Sequence, residues 1–371
     1  MELHQLIVNT AKAGLELINK GGHMPAGHNG SHQDPETPVR NTSHWIITFL
    51  KAHQITGEEK YLNATEQCLS FLTNEKTRPH GYTFHHRNIM GKDACNGLIG
   101  QAWTIEALVA AGNQLGKSNL LNLAKSVFLL QPFSRRLGAW QVIDIDGSNK
   151  GYDFTLNHQI WFAASGAQIV EAATESNQIE CQVVQFLDEL DSNLHLYPSG
   201  LIYHNIHPYR SLTKIGICGL ENVRRRRIPM PALELFRPET KMNQRKKAIG
   251  YHSFNLYALA MLKKSFPDHV FWQSDIFDRL LEYGQSTTFR NELDINPYGY
   301  SFNCSGIEMG FAIDVFEKNN HQVRDWVSEQ FKRTYDTETH LMTKNTMDSA
   351  TLAARFYEVT RLPNINRITI A

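Results

Sequence analysis

Apolar residues recur along the chain with a helical period, in two alternating styles. One is apolar on nearly every side. In residues 96–111, Leu98, Ile99, Ala102, Trp103, Ile105, Leu108 and Val109 cover almost the whole circumference, the pattern of a helix buried all round. The other keeps a wet face: in residues 58–72, Tyr61, Leu62, Ala64, Cys68, Leu69 and Leu72 gather on one side. The two styles come in pairs. Residues 40–47 open an apolar helix whose partner is 58–72. Then 96–111 pairs with 118–130, 157–173 with 178–190, 251–264 with 272–283, and 305–317 with 322–335. A last apolar helix, 346–359, has no partner after it, while an amphipathic helix at 5–19, closed by Gly21 and Gly22, precedes all the others.

This is an internal repeat of helical hairpins. Six interior helices require six exterior ones, and the helix at 5–19 supplies the sixth. The predicted fold is all-α: an (α/α)6 toroid over residues 1–371 in one domain, with the termini side by side and the interior helices starting at one end. Residues 191–250 break the repeat and carry Tyr203, His204, Cys218, the run Arg224 to Arg227, and Pro229 and Pro231. An insertion of that length in a compact fold reads as a flap over the mouth of the toroid. Short strands are expected at 82–85 and 201–204.

Composition narrows the function classes. Lys+Arg and Asp+Glu are equal at 37 each, which argues against a nucleic-acid or anionic-membrane partner. No apolar run is long enough to span a membrane, and the start has no basic segment followed by an apolar one. Five scattered cysteines without a CxxC pair fit reduced thiols, and a cytoplasmic location is expected. The 17 histidines and the 10% aromatic content suit a site that holds sugars.

The chemistry-bearing residues fall at the starts of the interior helices. Asp93 and Asn96 precede one, and Asp153, Asn157 and His158 open the next. A carboxylate there is favoured by the helix dipole, so each aspartate is either a cap or a catalytic group. Facing one cleft, two carboxyls would separate in pKa into an acid and a base. His44 and His252 take early positions on the first and fourth interior helices; these imidazoles are either core residues or titratable groups of the mouth. No two of them have the helical spacing of metal ligands, so neither metal nor cofactor is expected. Candidate sugar contacts are Arg40, Asn41, His44, Asn96, Trp103, Asn157, Asn255, Tyr298 and Tyr300. The Arg224 to Arg227 run is either a solvated face or a reader of carboxylate or sulfate.

The hairpin repeat and the two acidic helix starts resemble the six-hairpin glycosidase-like superfamily, most of all the unsaturated glucuronyl and rhamnogalacturonyl hydrolases. In those enzymes an aspartate stands at the second interior helix and another at the third. Asp93 and Asp153 match those places, sixty residues apart, and Asp153-Phe-Thr-Leu-Asn157 resembles the second motif. The Cys95-Asn96-Gly97 segment departs from the first. The resemblance implies Asp153 as general acid/base, with Asp93 as its partner, acting on an acidic, uronate-bearing oligosaccharide or polysaccharide precursor. A weaker similarity, carried by Tyr251, His252, Tyr298 and Tyr300, is to the clefts of α-toroid uronate lyases and glucuronyl C5-epimerases. There Tyr251 would take the proton at C5, given a nearby cation to lower its pKa. The leading expectation is hydrolysis, the second C5 proton abstraction, and the third a toroid that only binds a glycan or a partner.

Overall fold

A computed structural model describes residues 1–206 and 238–370. The helices are α1 (Leu3–Leu15), α2 (Val39–Thr56), α3 (Glu59–Leu72), α4 (Gly97–Leu115), α5 (Ser118–Leu129), α6 (Leu156–Ala172) and α7 (Asn177–Asn193). After the undescribed stretch come α8 (Pro238–Ser265), α9 (Asp275–Gln285), α10 (Thr287–Asp294), α11 (Ser305–Phe316), α12 (Asn320–Thr334) and α13 (Ser349–Ala354), the last continued as a 3-10 helix, Arg355–Arg361.

Burial separates the two helix styles as the periodicity requires. On α4 every residue from Gly97 to Val109 is buried, whereas α5 buries only Leu120, Ala124, Val127 and Phe128, a single stripe. The interior helices α2, α4, α6, α8 and α11 pack in sequence, and the 3-10 continuation of α13 packs on both α11 and α2. That closes a ring, with α3, α5, α7 and α12 outside it. The ends of the chain meet: the Met1 amino group donates to Ile368 O at 2.9 Å and Leu3 N to Ile365 O at 2.9 Å. The fold is an (α/α)6 toroid around one continuous apolar core reaching from Leu3 to Ile368.

Several details differ from the expectation. The fourth interior helix begins at Pro238 rather than at 251, so the charged 243–247 segment is helix. The first helix ends at Leu15, four residues before 19. The exterior helix expected at 272–283 is split at Ser274, whose hydroxyl accepts from Phe277 N and starts α9 afresh after a 3-10 turn, Val270–Gln273. Helix α10 was not expected; Ser286 caps it in the same way.

No strand forms at 82–85, and at 201–204 there is only an isolated bridge between Leu196 and Ile202. The sheet lies elsewhere: β1 (Phe133–Ser134), β2 (Ala139–Ile143) and β3 (Asn149–Tyr152) form an antiparallel ribbon. It delivers Asp153 to the start of α6. A second, two-stranded ribbon joins Tyr335–Asp336 to Leu341–Met342. Of the expected flap, 191–193 end α7 and 238–250 begin α8. Cys218, Arg224 to Arg227, Pro229 and Pro231 lie outside the described residues. Among the described residues no helix is long and apolar enough to cross a membrane.

Candidate active site

The starts of α4 and α6, the middle of α8 from Lys247 to Phe254, the loop before α2 and the Leu201–Ile206 segment line a cavity of about 470 Å³. Of the residues expected at a site, Arg40, Asp93, Asn96, Trp103, Asp153, Asn157, His158 and Tyr251 line it.

Asp153 and His158 form its most developed pair. Asp153 Oδ2 accepts from His158 Nδ1 at 2.7 Å and from Leu98 N at 3.2 Å, while Oδ1 accepts from Thr155 N at 3.1 Å. Burial pushes this carboxyl up, but the imidazole and the two backbone N–H groups outweigh it and hold it below the usual carboxylate range. Asp153 is therefore an anion that orients His158, and Nε2 of that ring makes no hydrogen bond among the described residues. Only glycine fits beneath the pair. At Gly97 (φ +59°) a Cβ would stand 2.6 Å from Asp153 Oδ2 and 2.9 Å from His158 Nδ1.

Asp93 occupies the same helix mouth differently. Its Oδ1 caps Gly97 N at 2.7 Å, the residue before the one Asp153 caps. Its Oδ2 is paired with Arg87 Nη2 at 2.8 Å. Arg87 also donates to Asp93 O (2.7 Å) and to Asn96 Oδ1 (2.9 Å). The carboxylate is consumed by a cap and a guanidinium.

On the α8 side, Tyr251 Oη and His32 Nε2 share a hydrogen bond of 3.0 Å. Burial drives the Tyr251 phenol above its ordinary range, the direction opposite to the lowering expected of a base, and the nearby Arg355 and Arg40 only partly offset this. His32 is pushed down to about 4 by burial and by Lys247, and His204 to about 3 by burial and by His158. Both imidazoles are neutral at physiological pH. The His204 ring lies 4.9 Å from that of Tyr251, and both line the cavity.

The cavity floor is cationic. Arg40 lies over the Trp103 ring at 4.0 Å and donates to Glu36 and Asn29. Arg355 donates to Asn303 and pairs with Glu308 and Glu358, two buried carboxyls raised by burial that do not line the cavity. Lys247 faces the cavity with no ion pair or hydrogen bond among the described residues; burial and the Lys92 charge lower its pKa. Four buried atoms of lining residues lack a described partner: Asn157 Oδ1, His204 Nδ1, Arg40 Nε and Arg355 Nε. Buried polar groups are normally paired, so these atoms suit a bound polar molecule.

Six expected residues do not line the cavity. His252 follows Tyr251 and is rotated about 100° from it around α8; its Nε2 bonds Leu280 O at 3.0 Å and its Nδ1 accepts from Ile202 N. Burial pushes His252 to about 3. His44 and Asn255 sit one turn deeper than Arg40 and Tyr251, below the floor: His44 is stacked on Tyr357 (4.2 Å) and Asn255 is 1% exposed. Asn41 donates to Pro25 O. Tyr300 is buried under Arg333, and Tyr298 packs behind His32. The sequence reading missed His32, His204, Lys247 and Arg355 as cavity residues. His204 and Lys247 had a signal, their place in the interrupted repeat at 191–250. Among the described residues no group of three His, Cys, Asp or Glu side chains is arranged to hold a metal ion.

No protein-family model matches the chain. It is 44% identical over 362 residues, 97% of each chain, to the archaeal glycosylation protein Q of Haloferax volcanii. Among solved structures it resembles cellobiose 2-epimerase from Bacillus thermoamylovorans (TM-score 0.62, 11% identity, 95% of this chain and 96% of that one). It also resembles a D-mannose isomerase (0.61, 14%, 97% of both) and an unsaturated glucuronyl hydrolase specific for heparin (0.60, 9%, 96% and 94%). The shared architecture is the (α/α)6 toroid.

Proposed function

Because the chain belongs to the family of the archaeal glycosylation protein Q, we propose that it is a carbohydrate-active enzyme of glycan assembly. Its reaction is proton transfer at C5 of a uronate, as in an epimerase. The observation that carries this reading is the Asp153–His158 pair. With Nδ1–H donated to an aspartate held as an anion, the His158 Nε2 lone pair is fixed as a base. Asp153 orients the ring and stabilises the imidazolium that forms.

A C–H bond beside a carboxylate is weakly acidic, because removing its proton adds a second negative charge. The site supports that step with cations. Arg40, Arg87, Lys92, Lys150, Lys247 and Arg355 line the cavity, against the carboxylates of Asp34, Asp93 and Asp153. Fixed charges aimed at developing charge are worth most in a cavity that excludes water. Lys247 and Arg355 are the residues assigned to neutralise the sugar carboxylate.

Hydrolysis by two carboxyls, the other reading, needs one that is protonated and one that is free. Asp153 is held ionised, Asp93 is engaged by Arg87, and the carboxyls raised by burial lie behind Arg355. The geometry favours proton transfer. The test is to incubate the protein with a glucuronate-terminated disaccharide and follow it by NMR and mass spectrometry. An isomer of unchanged mass is expected. A shortened sugar would return hydrolysis to first place, and binding without conversion would make the protein a glycan-binding toroid.

A further inference from the structure

We propose that Lys247 sets the preference of the cavity for a sugar bearing one carboxylate over the same sugar without that charge. The other five Lys and Arg side chains that line the cavity hold its walls. The inference rests on the uronate reading above and deepens it by naming the residue that selects the substrate.

The charges lining the cavity can be balanced one by one. Arg87 Nη2 pairs with Asp93 Oδ2 at 2.8 Å, and Lys92 Nζ donates to both oxygens of Asp34 at 2.7 and 2.8 Å. Lys150 pairs with Asp144 at 3.2 Å. Arg40 pairs with Glu36 at 2.9 Å, where burial raises the carboxyl and the guanidinium lowers it. Arg355 meets Glu308 at 2.6 Å and Glu358 at 2.8 Å, so its charge is already answered by carboxyls outside the cavity lining.

Two charges are left over. Asp153 is engaged by an imidazole and two backbone N–H groups, not by a Lys or Arg. Lys247 has no ion pair or hydrogen bond among the described residues. The unmatched anion serves the base, and the unmatched cation is left for the substrate. A half-buried ammonium without a counter-ion is costly, and burial and the Lys92 charge already weaken its hold on the proton. A carboxylate beside it removes that cost. One unmatched positive charge answers one negative charge.

The position suits a uronate. Lys247 stands one turn before Tyr251 on α8 and, of all the charges, acts most strongly on the His32 ring. Its charge also acts on His204, as do those of His158 and Asp153. The free cation and the Asp153–His158 pair therefore share a neighbour that lines the cavity. A uronate needs that closeness, because its carboxyl carbon is bonded to C5, where the proton is removed.

The experiment titrates the full chain by calorimetry with a glucuronate-terminated disaccharide and, separately, with its methyl ester, which keeps the ring and hydroxyls but not the charge. Wild type should bind the acid roughly 10–100-fold more tightly than the ester, the usual worth of a charge-assisted hydrogen bond. Lys247→Met should bring the two within about threefold by weakening the acid alone, and Lys247→Arg should restore most of the difference. Lys246 is the control, since it is exposed, adjacent in the chain and outside the cavity lining. Lys246→Met should leave the preference within about twofold, because an exposed charge is screened. As pH rises above neutral, wild type should lose its preference when Lys247 loses its proton, whereas Lys247→Arg should keep it.

A Lys247→Met chain that keeps a preference of about tenfold overturns the proposal, as does a Lys246→Met chain that loses as much as Lys247→Met. Both leave the proton-transfer reading standing. A wild type that binds neither compound overturns both. Preference lost in Lys247→Met, with no exchange of the C5 proton by wild type in D2O, upholds Lys247 and removes the epimerase reading. Should Lys247→Met fail to fold, Lys247→Gln takes its place with the same two outcomes.

Discussion

Two aspartates stand at one helix mouth, and their surroundings give them opposite uses. Asp93 and Asp153 accept from consecutive backbone N–H groups, Gly97 and Leu98. Asp93 faces a guanidinium, so its charge is neutralised and Arg87 ties the loop to Asn96. Asp153 faces an imidazole, and its Oδ2 accepts from His158 Nδ1 at 2.7 Å. A carboxylate at a helix start does not by itself state a role. Its remaining partner decides between a cap and catalysis.

The contrast breaks most sharply at the Asp153 side. His158→Ala or Asp153→Asn should lower turnover by about 10²–10⁴-fold, the usual worth of a general base, with melting temperature recorded to separate activity from folding. Equal loss from Asp93→Asn would erase the distinction between the two aspartates.

Gly97→Ala tests the surface both aspartates share. Its Cβ would meet Asp153 Oδ2 at 2.6 Å in a backbone that favours glycine. A fall of roughly 10–100-fold in turnover is expected from displacing the pair, since small misplacements at a reacting group are costly. Unchanged activity would mean that the pair does not depend on α4.

Asp93→Asn should be milder: within about fivefold of wild-type turnover and less stable by roughly 1–2 kcal/mol from the lost charge-assisted bonds, read by denaturant unfolding. Double replacement of Arg87 and Asp93 should cost less than the sum of the single changes.

His252→Leu should have the smallest effect on turnover, because that ring bonds Leu280 O and Ile202 N outside the cavity. It should destabilise by about 1–3 kcal/mol at neutral pH. It should also change the pH dependence. Burial depresses the folded pKa of His252 to about 3, so its contribution is present above the unfolded value of 6.5 and is lost as pH falls from there toward 3. The variant should therefore lose stability less steeply than the wild type across that window.

The ring was legible because interior and exterior helices differ in the breadth of their apolar surface, a property of single segments. Asp153, Asn157 and His158 were legible for a related reason, since a helix start is a local event. What failed was depth and rotation. His252 is next to Tyr251 in sequence but about 100° around the helix, and His44 is one turn below Arg40, stacked on Tyr357. The ribbon that delivers Asp153 was missed although Asp144 to Ser148, with Gly147 at φ +80°, makes a turn between β2 and β3. Arg355, Lys247 and His32 reach the cavity from elements far apart in the chain, and no local pattern places them together.

The most direct test of His158 as the base is release of label from a glucuronate-terminated disaccharide deuterated at C5, in ordinary water, with wild type and Asp153→Asn compared. Deuterium should leave the sugar while the disaccharide stays whole, at least about 100-fold more slowly in the variant. Free monosaccharide that still carries its deuterium would contradict the account.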